Sequence, residues 1–123
     1  MENKTTSVSG YQKLLVYQRI TELVLLVYKL SKKLPGDEKF GLISQMRRAV
    51  VSVLSTFVEG YLKSSKQEKR HYLEMAMTSL LELEAQSQVC HLLRYWSNSD
   101  HLLFMEKKNE VGYLLYRYMI AVR

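Results

Sequence analysis

The chain has 123 residues with 47% apolar composition, and 18 Lys and Arg against 12 Asp and Glu give a net charge of +6. This length predicts one domain with a substantial core, and the single cysteine, Cys90, excludes an internal disulfide or a Cys-rich zinc module. The longest apolar run, Leu23 to Tyr28, is too short for a membrane span, which needs roughly 18 residues or more.

The start of the chain and its cysteine content predict a cytoplasmic protein. Residues 1–10 are polar and contain no apolar stretch that could serve as a secretory signal, and one cysteine fits a reducing compartment. We expect residues 1–10 to form a flexible polar arm and residues 11–123 to form a single domain.

Scarce glycine and proline and long stretches of helical spacing predict an all-α protein. The first predicted helix ends at Leu34-Pro35-Gly36. Its apolar seam comprises Val16, Ile20, Leu23, Val27, Leu30 and Leu34. We expect Asp37 and Glu38 in the first turn of a second helix, where carboxylates complement the helix dipole. That helix should end near Leu62, and its apolar stripe comprises Leu42, Met46, Ala49, Val53 and Phe57.

The third helix is predicted to be the longest, from a capping box of Ser65 and Glu68 to about Trp96. Its seam comprises Leu73, Ala76, Leu80, Leu83, Ser87 and Cys90. Residues 97–100, Ser-Asn-Ser-Asp, supply a turn and a cap for a fourth helix. The apolar residues predicted for its packing are Leu102, Met105, Tyr113, Tyr116 and Ile120. Four helices joined by short loops predict an antiparallel up-and-down four-helix bundle.

This topology brings the start of the first helix, the end of the second, the start of the third and the end of the fourth together. At that end cations outnumber carboxylates by four, against two at the other end, and the excess favours the loop before the third helix. No zinc finger, RNP motif or GXXG clamp is present, so we expect contacts to a nucleic-acid backbone. A solvated basic face is the alternative. The predicted contact residues are Lys13, Arg19, Lys63, Lys66, Lys69, Arg70 and Arg117.

Two further patterns bear on assembly and register. The run from Leu23 to Tyr28 is apolar all round its helix, which predicts self-association; surface apolar residues of no consequence are the alternative. A polar stripe on the second helix predicts a buried network that fixes register rather than an active site, with Glu82 or Glu84 as partner for Arg48. The members of this network are Gln45, Arg48, Ser52, Thr56 and Glu59 on the second helix and Glu82 on the third.

Patterns of enzyme chemistry are incomplete in this chain. Glu68 and His71 have the spacing of a di-iron ligand pair, but the second copy that such a site needs is missing. Cys90 and His91 are adjacent, so on a helix their side chains point about 100° apart. Phosphate-binding loops, nucleophile elbows and dinucleotide fingerprints are absent. We expect a protein that is not an enzyme and needs no metal or cofactor.

Several motifs along the chain combine into one pattern. They are Leu14, Val16, Tyr17 and Gln18, Phe40-Gly41-Leu42, Gln45, Arg47-Arg48-Ala49, Ser52, Glu59-Gly60 and Ser79-Leu80-Leu81-Glu82-Leu83-Glu84. In this combination the chain resembles a known family, the small four-helix-bundle proteins that include those encoded by intervening sequences in 23S ribosomal RNA genes. Residues 54–58, Leu-Ser-Thr-Phe-Val, replace the usual Pro-x-Asn-Ile-Ala of that family, so we expect the bend of the second helix to be lost.

A related branch is the accessory variability protein of diversity-generating retroelements, which is a pentameric barrel with a basic surface that binds nucleic acid and a reverse transcriptase. The resemblance implies a non-catalytic homopentamer that presents a ring of Lys and Arg to nucleic acid, RNA rather than DNA. It implies as the alternative an accessory protein that binds a reverse transcriptase together with its template RNA.

Overall fold

The computed structural model describes residue 10 and residues 14–122. Over this part the chain forms four α-helices and a short 3-10 helix, Gly36–Glu38, and contains no strand. The helices are α1 (Leu15–Ser31), α2 (Leu42–Leu62), α3 (Lys66–Leu92) and α4 (Asn98–Ala121). The predicted arm, apart from residue 10, and the predicted contact Lys13 lie outside the described residues. Among residues 14–122, no helix is long and apolar enough to span a membrane.

The helices pack in a square arrangement. α1 contacts α2 and α4, α3 contacts the same two helices, and the α2–α3 interface is the most extensive. At one end, the indole Nε1 of Trp96 donates to the carbonyl of Leu30 at 2.9 Å, and at the other the rings of Phe57 and Tyr118 lie 5.7 Å apart. These contacts join the end of α1 to the start of α4 and the end of α2 to the end of α4. The all-α bundle is therefore confirmed.

The core contains the apolar seams of α1, α2 and α3, which are buried as predicted, and is completed by Trp96 and by Phe104, Val111 and Leu115 of α4. Each fully buried Leu, Val or Phe of this kind stabilises the fold by about 1.5–3 kcal/mol. α2 is continuous through residues 54–58. Most of the stability of these three helices comes from packing of their apolar stripes, because helix propensity alone contributes less.

Helix ends follow the predicted caps at two positions. The hydroxyl of Ser65 accepts from the backbone N–H of Glu68 at 3.0 Å, and that of Ser97 accepts from Asp100 at 3.1 Å. α3 ends at Leu92, earlier than the predicted Trp96. The reason is Arg94, which takes a left-handed φ of 63° and turns the chain so that the Trp96 side chain enters the core.

Asp37 and Glu38 lie in the 3-10 helix and not in the first turn of α2, so that prediction was wrong. The chain bends at Gly41, and α2 begins only at Leu42. The Glu38 carboxylate still accepts from the backbone N–H of Leu42 at 3.2 Å, and Oη of Tyr95 donates to its other oxygen at 3.1 Å. A carboxylate therefore caps α2 from outside the helix.

The predicted packing face of α4 was also wrong. Met105 is half-buried, but four of the predicted residues form an exposed row that we call the outer stripe of α4: Leu102, Tyr113, Tyr116 and Ile120. The helix instead buries Phe104, Lys108, Val111 and Leu115. This buried face of α4 was not predicted because one of its residues is a lysine. Nζ of Lys108 lies 2.7 Å from Oε1 of Glu84 on α3, and this ion pair compensates the burial of its charge.

Candidate nucleic-acid interface

Four helix ends meet at one pole of the bundle, which we call the basic pole; its described cations are Lys63, Lys66, Lys69, Arg70 and Arg117. The rings of Tyr61 and Tyr118 stack 6.3 Å apart, which joins the ends of α2 and α4. Four of the five cations lie within residues 63–70, the turn from α2 into α3. Antiparallel packing therefore adds Arg117 of α4 to a dense local cluster.

Two lysines of this cluster are held by aromatic rings. Nζ of Lys63 lies 5.0 Å from the centre of the Tyr72 ring, and Nζ of Lys69 lies 5.6 Å from that of Tyr61. Lys69 also donates to the backbone carbonyl of Tyr61 at 2.7 Å. Cation–π contacts orient these ammonium groups while leaving their charge uncompensated by a carboxylate. Both lysines are half-buried, whereas Lys66 and Arg70 are exposed.

Arg117 is positioned by a neighbour on its own helix. Its guanidinium lies 5.7 Å from the ring centre of Tyr113, and one of its nitrogens donates to the Tyr113 hydroxyl at 3.0 Å. Residues four apart share a helix face, so this contact follows from local spacing. The guanidinium stays exposed at the edge of the basic pole.

Arg19 differs from the other predicted contacts because carboxylates neutralise it. Its guanidinium lies 3.0 Å from Glu22 and 3.0 Å from Glu110, and Lys107 lies 3.1 Å from the other oxygen of Glu22. These four side chains alternate in sign and carry no net charge. Glu110 and Lys107 of α4 therefore lie beside Arg19 and Glu22 of α1.

The charge excess of the basic pole is smaller within the described residues. Lys13 and Arg123, which contributed to the predicted excess of four, lie outside them. At this pole the structure describes five cations and three carboxylates, Glu59, Glu68 and Glu74. The local density of its cations distinguishes this pole, because a phosphate of the ligand interacts mainly with charges within a Debye length of roughly 10 Å.

The predicted polar network is not buried within one chain. Gln45, Arg48, Glu59 and Glu82 are exposed, and only Ser52 and Thr56 are covered. The hydroxyls of Ser52 and Ser79 share a hydrogen bond of 2.9 Å across the α2–α3 interface. Glu84 pairs with Lys108 and not with Arg48. Four of the predicted residues nevertheless line one groove of about 170 Å³ between α2 and α3: Gln45, Arg48, Ser52 and Glu82.

Comparison with known proteins identifies the family. The model of the 23S rRNA-intervening sequence protein family matches residues 12–117. The chain belongs to this family. The match spans α1 to α3 and most of α4. No curated protein sequence matches this family member.

A solved structure supports the same fold for this 23S rRNA-intervening sequence family member. It is the crystal structure of a protein of unknown function from the S23 ribosomal protein family of Bacteroides thetaiotaomicron VPI-5482. The TM-score is 0.79 at 18% sequence identity, and the match covers 85% of this chain and 98% of that chain. At this identity the likeness shows a shared bundle and nothing further.

The candidate catalytic residues of this family member are poorly placed for chemistry. Cys90 is fully buried, with its Sγ 3.5 Å from Sδ of Met46. Burial, with a smaller contribution from Glu38, raises the pKa of its thiol to about 11, so the thiol is protonated at neutral pH and is a weak nucleophile. Within residues 14–122, no three His, Cys, Asp or Glu side chains come together to hold a metal.

Sequence analysis missed the aromatic rings that organise the basic pole. Tyr61 and Tyr72 were not assigned to it, and Tyr113 was assigned to the core. The i, i+4 spacing of Tyr113 and Arg117 could have identified one pair. The contacts of Tyr61 and Tyr72 to lysines cross the α2–α3 turn, and no periodic pattern encodes them.

Proposed function

We propose that this chain is a non-catalytic, homo-oligomeric protein that binds RNA through the basic pole. The observation that carries the proposal is the cluster in residues 63–70, where rings hold Lys63 and Lys69 beside the exposed Lys66 and Arg70. Arg117 extends this cluster onto α4. Arg19 is left out of the contact set because its charge is neutralised by Glu22 and Glu110.

The ligand chemistry follows from the type of side chain. Lysine and arginine contact phosphates without reading bases, so their binding depends steeply on salt and weakly on sequence. RNA is favoured over DNA by the family, which is named for intervening sequences of 23S rRNA. A reverse transcriptase partner stays a prediction, since no contact among residues 14–122 favours it.

Self-association is supported by apolar surface that one bundle leaves exposed. Tyr113, Tyr116 and Ile120 repeat at steps of three and four along the outer stripe of α4, and Leu25 on α1 is 72% exposed. A second helix can pack against such a seam. Copies arranged around an axis would bring their basic poles together, and the pentamer is the number that the resemblance implies.

The test reverses charge at the basic pole. We expect Lys66→Glu, Lys69→Glu and Arg70→Glu together to weaken RNA binding strongly and to make the salt dependence shallower, by about 2 in the slope of log affinity against log salt. The measurement is fluorescence anisotropy of a short labelled single-stranded RNA across a salt series. Because Lys69 also bonds the Tyr61 carbonyl, the Lys66→Glu and Arg70→Glu double variant provides a version that keeps this contact.

A matched control carries the same charge change at the opposite pole, through Lys29→Glu, Lys32→Glu and Lys39→Glu, three exposed residues without an ion pair in the described part of the chain. We expect this control to keep most of its affinity. Equal losses in both triple variants would show a response to net charge alone and would contradict the assigned site. Unchanged affinity and slope in the first triple variant would contradict RNA binding by this pole.

A further inference from the structure

A second cluster of side chains lies at the pole opposite the basic pole, where α3 ends and α4 begins. The imidazole rings of His91 and His101 stack with centres 4.3 Å apart and planes within 4° of each other. In addition, Nε2 of His91 shares a hydrogen bond of 2.7 Å with Oδ1 of Asn98. Two contacts from α4, made by His101 and Asn98, therefore fix the orientation of the His91 ring.

A cavity of about 530 Å³ lies beside this ring and is lined by His91, Leu92, Arg94, Trp96, Ser97 and Asn98. His91 lines this cavity, whereas the stacked His101 does not. Its volume falls within the range of about 300–1,000 Å³ that is typical of small-ligand sites. Two aromatic residues and a leucine provide the apolar wall, and an amide and a hydroxyl provide polar groups.

Arg94 brings a positive charge to the cavity. Its left-handed backbone is held by its own N–H, which donates to the carbonyl of His91 at 3.0 Å, and by the N–H of Tyr95, which donates to the carbonyl of Cys90 at 2.9 Å. The side chain is exposed and makes no ion pair with any described residue. Its guanidinium is therefore available to an anion beside the His91 ring.

The His101 ring that stacks on His91 is partly buried. Burial, with a smaller contribution from His91, lowers the pKa of His101 below its ordinary 6.5. At neutral pH the inner ring is therefore uncharged. Flat rings such as histidine stack on unpaired RNA bases, and arginine contacts phosphates bidentately.

We propose that this cavity, the His91 cavity, binds one unpaired nucleotide of RNA, with the base stacked on His91 and the phosphate beside Arg94. The proposal rests on the proposed function because the nucleotide is taken to come from RNA. The geometry of the cavity does not depend on that function. α3 has 27 residues and is about 40 Å long, so the cavity is a contact separate from the basic pole. It adds contact with a single base to a protein whose basic pole contacts only phosphates.

The first experiment titrates the full chain with adenosine monophosphate and follows the histidine ring protons by NMR. We expect the base to shift the His91 signals, whereas inorganic phosphate leaves them in place. His91→Ala should weaken binding by about tenfold or more, the effect of losing one stacked base. Arg94→Ala should weaken it as well, and tests the site without altering the ring stack.

The matched control is His71→Ala, an exposed histidine of the same helix near the basic pole, which should bind the nucleotide as the wild type does. Circular dichroism checks that each variant is folded. Unmoved His91 signals, or equal binding by His91→Ala and wild type, would overturn the proposal, as would identical shifts with inorganic phosphate.

Two further measurements distinguish a failure of this cavity proposal from a failure of the proposed RNA binding at the basic pole. In the Lys66, Lys69 and Arg70 triple variant, adenosine monophosphate should still bind the His91 cavity, because that cavity is remote from the substitutions. A short oligoadenylate should bind wild type more tightly than the mononucleotide does. Equal affinity would refute an RNA source, whereas RNA binding at the basic pole with no mononucleotide binding would refute the cavity alone.

Discussion

His101 is a residue whose protonation the folded chain opposes. Its Nδ1 is buried and has no hydrogen-bond partner among the described residues. Burial first, and then the neighbouring His91, lower its pKa below 6.5 in the folded state. The unfolded chain therefore binds a proton at a higher pH than the folded chain does. Because proton uptake favours the unfolded state, the free energy of unfolding must decrease as the pH falls through about 6.5, and the decrease stops below the folded pKa.

We expect His101→Gln to flatten this dependence between pH 7 and the folded pKa, because the variant has no imidazole to protonate. Urea unfolding across the pH series measures it, with His71→Gln as the control that keeps the wild-type slope. The Asp100 carboxylate titrates lower, since Lys33 at 2.7 Å lowers its pKa below 3.8. A slope that persists unchanged in His101→Gln would assign the effect to another group.

At the scale of elements, α2 and α3 approach each other closely at Gly60. A Cβ atom there would lie 3.1 Å from Cβ of Tyr72 and 3.2 Å from the carbonyl oxygen of Lys69. Both of these atoms belong to or adjoin the backbone of α3, so they can move only if the helix moves. This close approach explains why a glycine is needed inside a helix, where it costs about 1 kcal/mol relative to alanine.

Gly60→Ala should therefore destabilise the bundle by about 1–3 kcal/mol, the usual cost of overpacking. The matched control is Gly112→Ala on α4, where the added Cβ would lie 3.4 Å from a terminal methyl of Leu80, which is ordinary contact. That variant should gain up to about 1 kcal/mol from helix propensity. Chemical denaturation of both variants measures the difference. A Gly60→Ala variant as stable as wild type would show that the helices separate at little cost.

The sequence predicted the elements better than it predicted the faces they bury. In α1, α2 and α3 one apolar stripe dominates, so periodicity identified the buried side. α4 carries two stripes, and the buried one contains Lys108, whose charge is compensated only by Glu84 on another helix. Periodicity places residues on a face, but the choice between two faces depends on the partner helices.

The candidate site shows the same limit. The basic cluster could be predicted because most of it is continuous in sequence, from Lys63 to Arg70. The neutralisation of Arg19 could not, because its partner Glu110 lies 91 positions along the chain. The stacked pair of His91 and His101 was missed for a related reason, since it forms only where the end of α3 and the start of α4 pack together.

At the scale of the whole molecule, the apolar surface of one chain exceeds what a lone bundle requires. The outer stripe of α4 runs for most of the helix, and Leu102, Tyr113 and Tyr116 are each more than half exposed. Glu106 and Asn109 interrupt the stripe between Leu102 and Tyr113, so its continuous apolar part is Tyr113, Tyr116 and Ile120, and an exposed apolar patch marks an interaction site. Arg117 adjoins this stripe through Tyr113, so copies packed along α4 would place a cation of the basic pole at their junction.

We expect Tyr116→Glu and Ile120→Glu together to dissociate the proposed oligomer, because the introduced carboxylates cannot be buried against a second copy. Light scattering of the purified chain measures the molar mass. The matched control, Leu81→Glu and Val89→Glu, places the same change on exposed residues of α3 and should leave the mass unchanged. Dissociation by the α3 pair alone would move the interface to α3, and a monomeric wild type would refute self-association altogether.

The same double variant also tests whether oligomerisation raises the affinity of the protein for RNA. One basic pole offers few cations, and linked copies raise the effective concentration of the second pole at a bound RNA, so avidity exceeds the affinity of one chain by about 100-fold or more. The Tyr116→Glu and Ile120→Glu monomer keeps Lys63, Lys66, Lys69 and Arg70 in place, and should therefore bind RNA with much lower affinity and a shallower salt slope. Anisotropy of a long and a short RNA measures this, since only the long RNA reaches several poles. Equal binding of the long RNA by monomer and wild type would show that each pole acts alone.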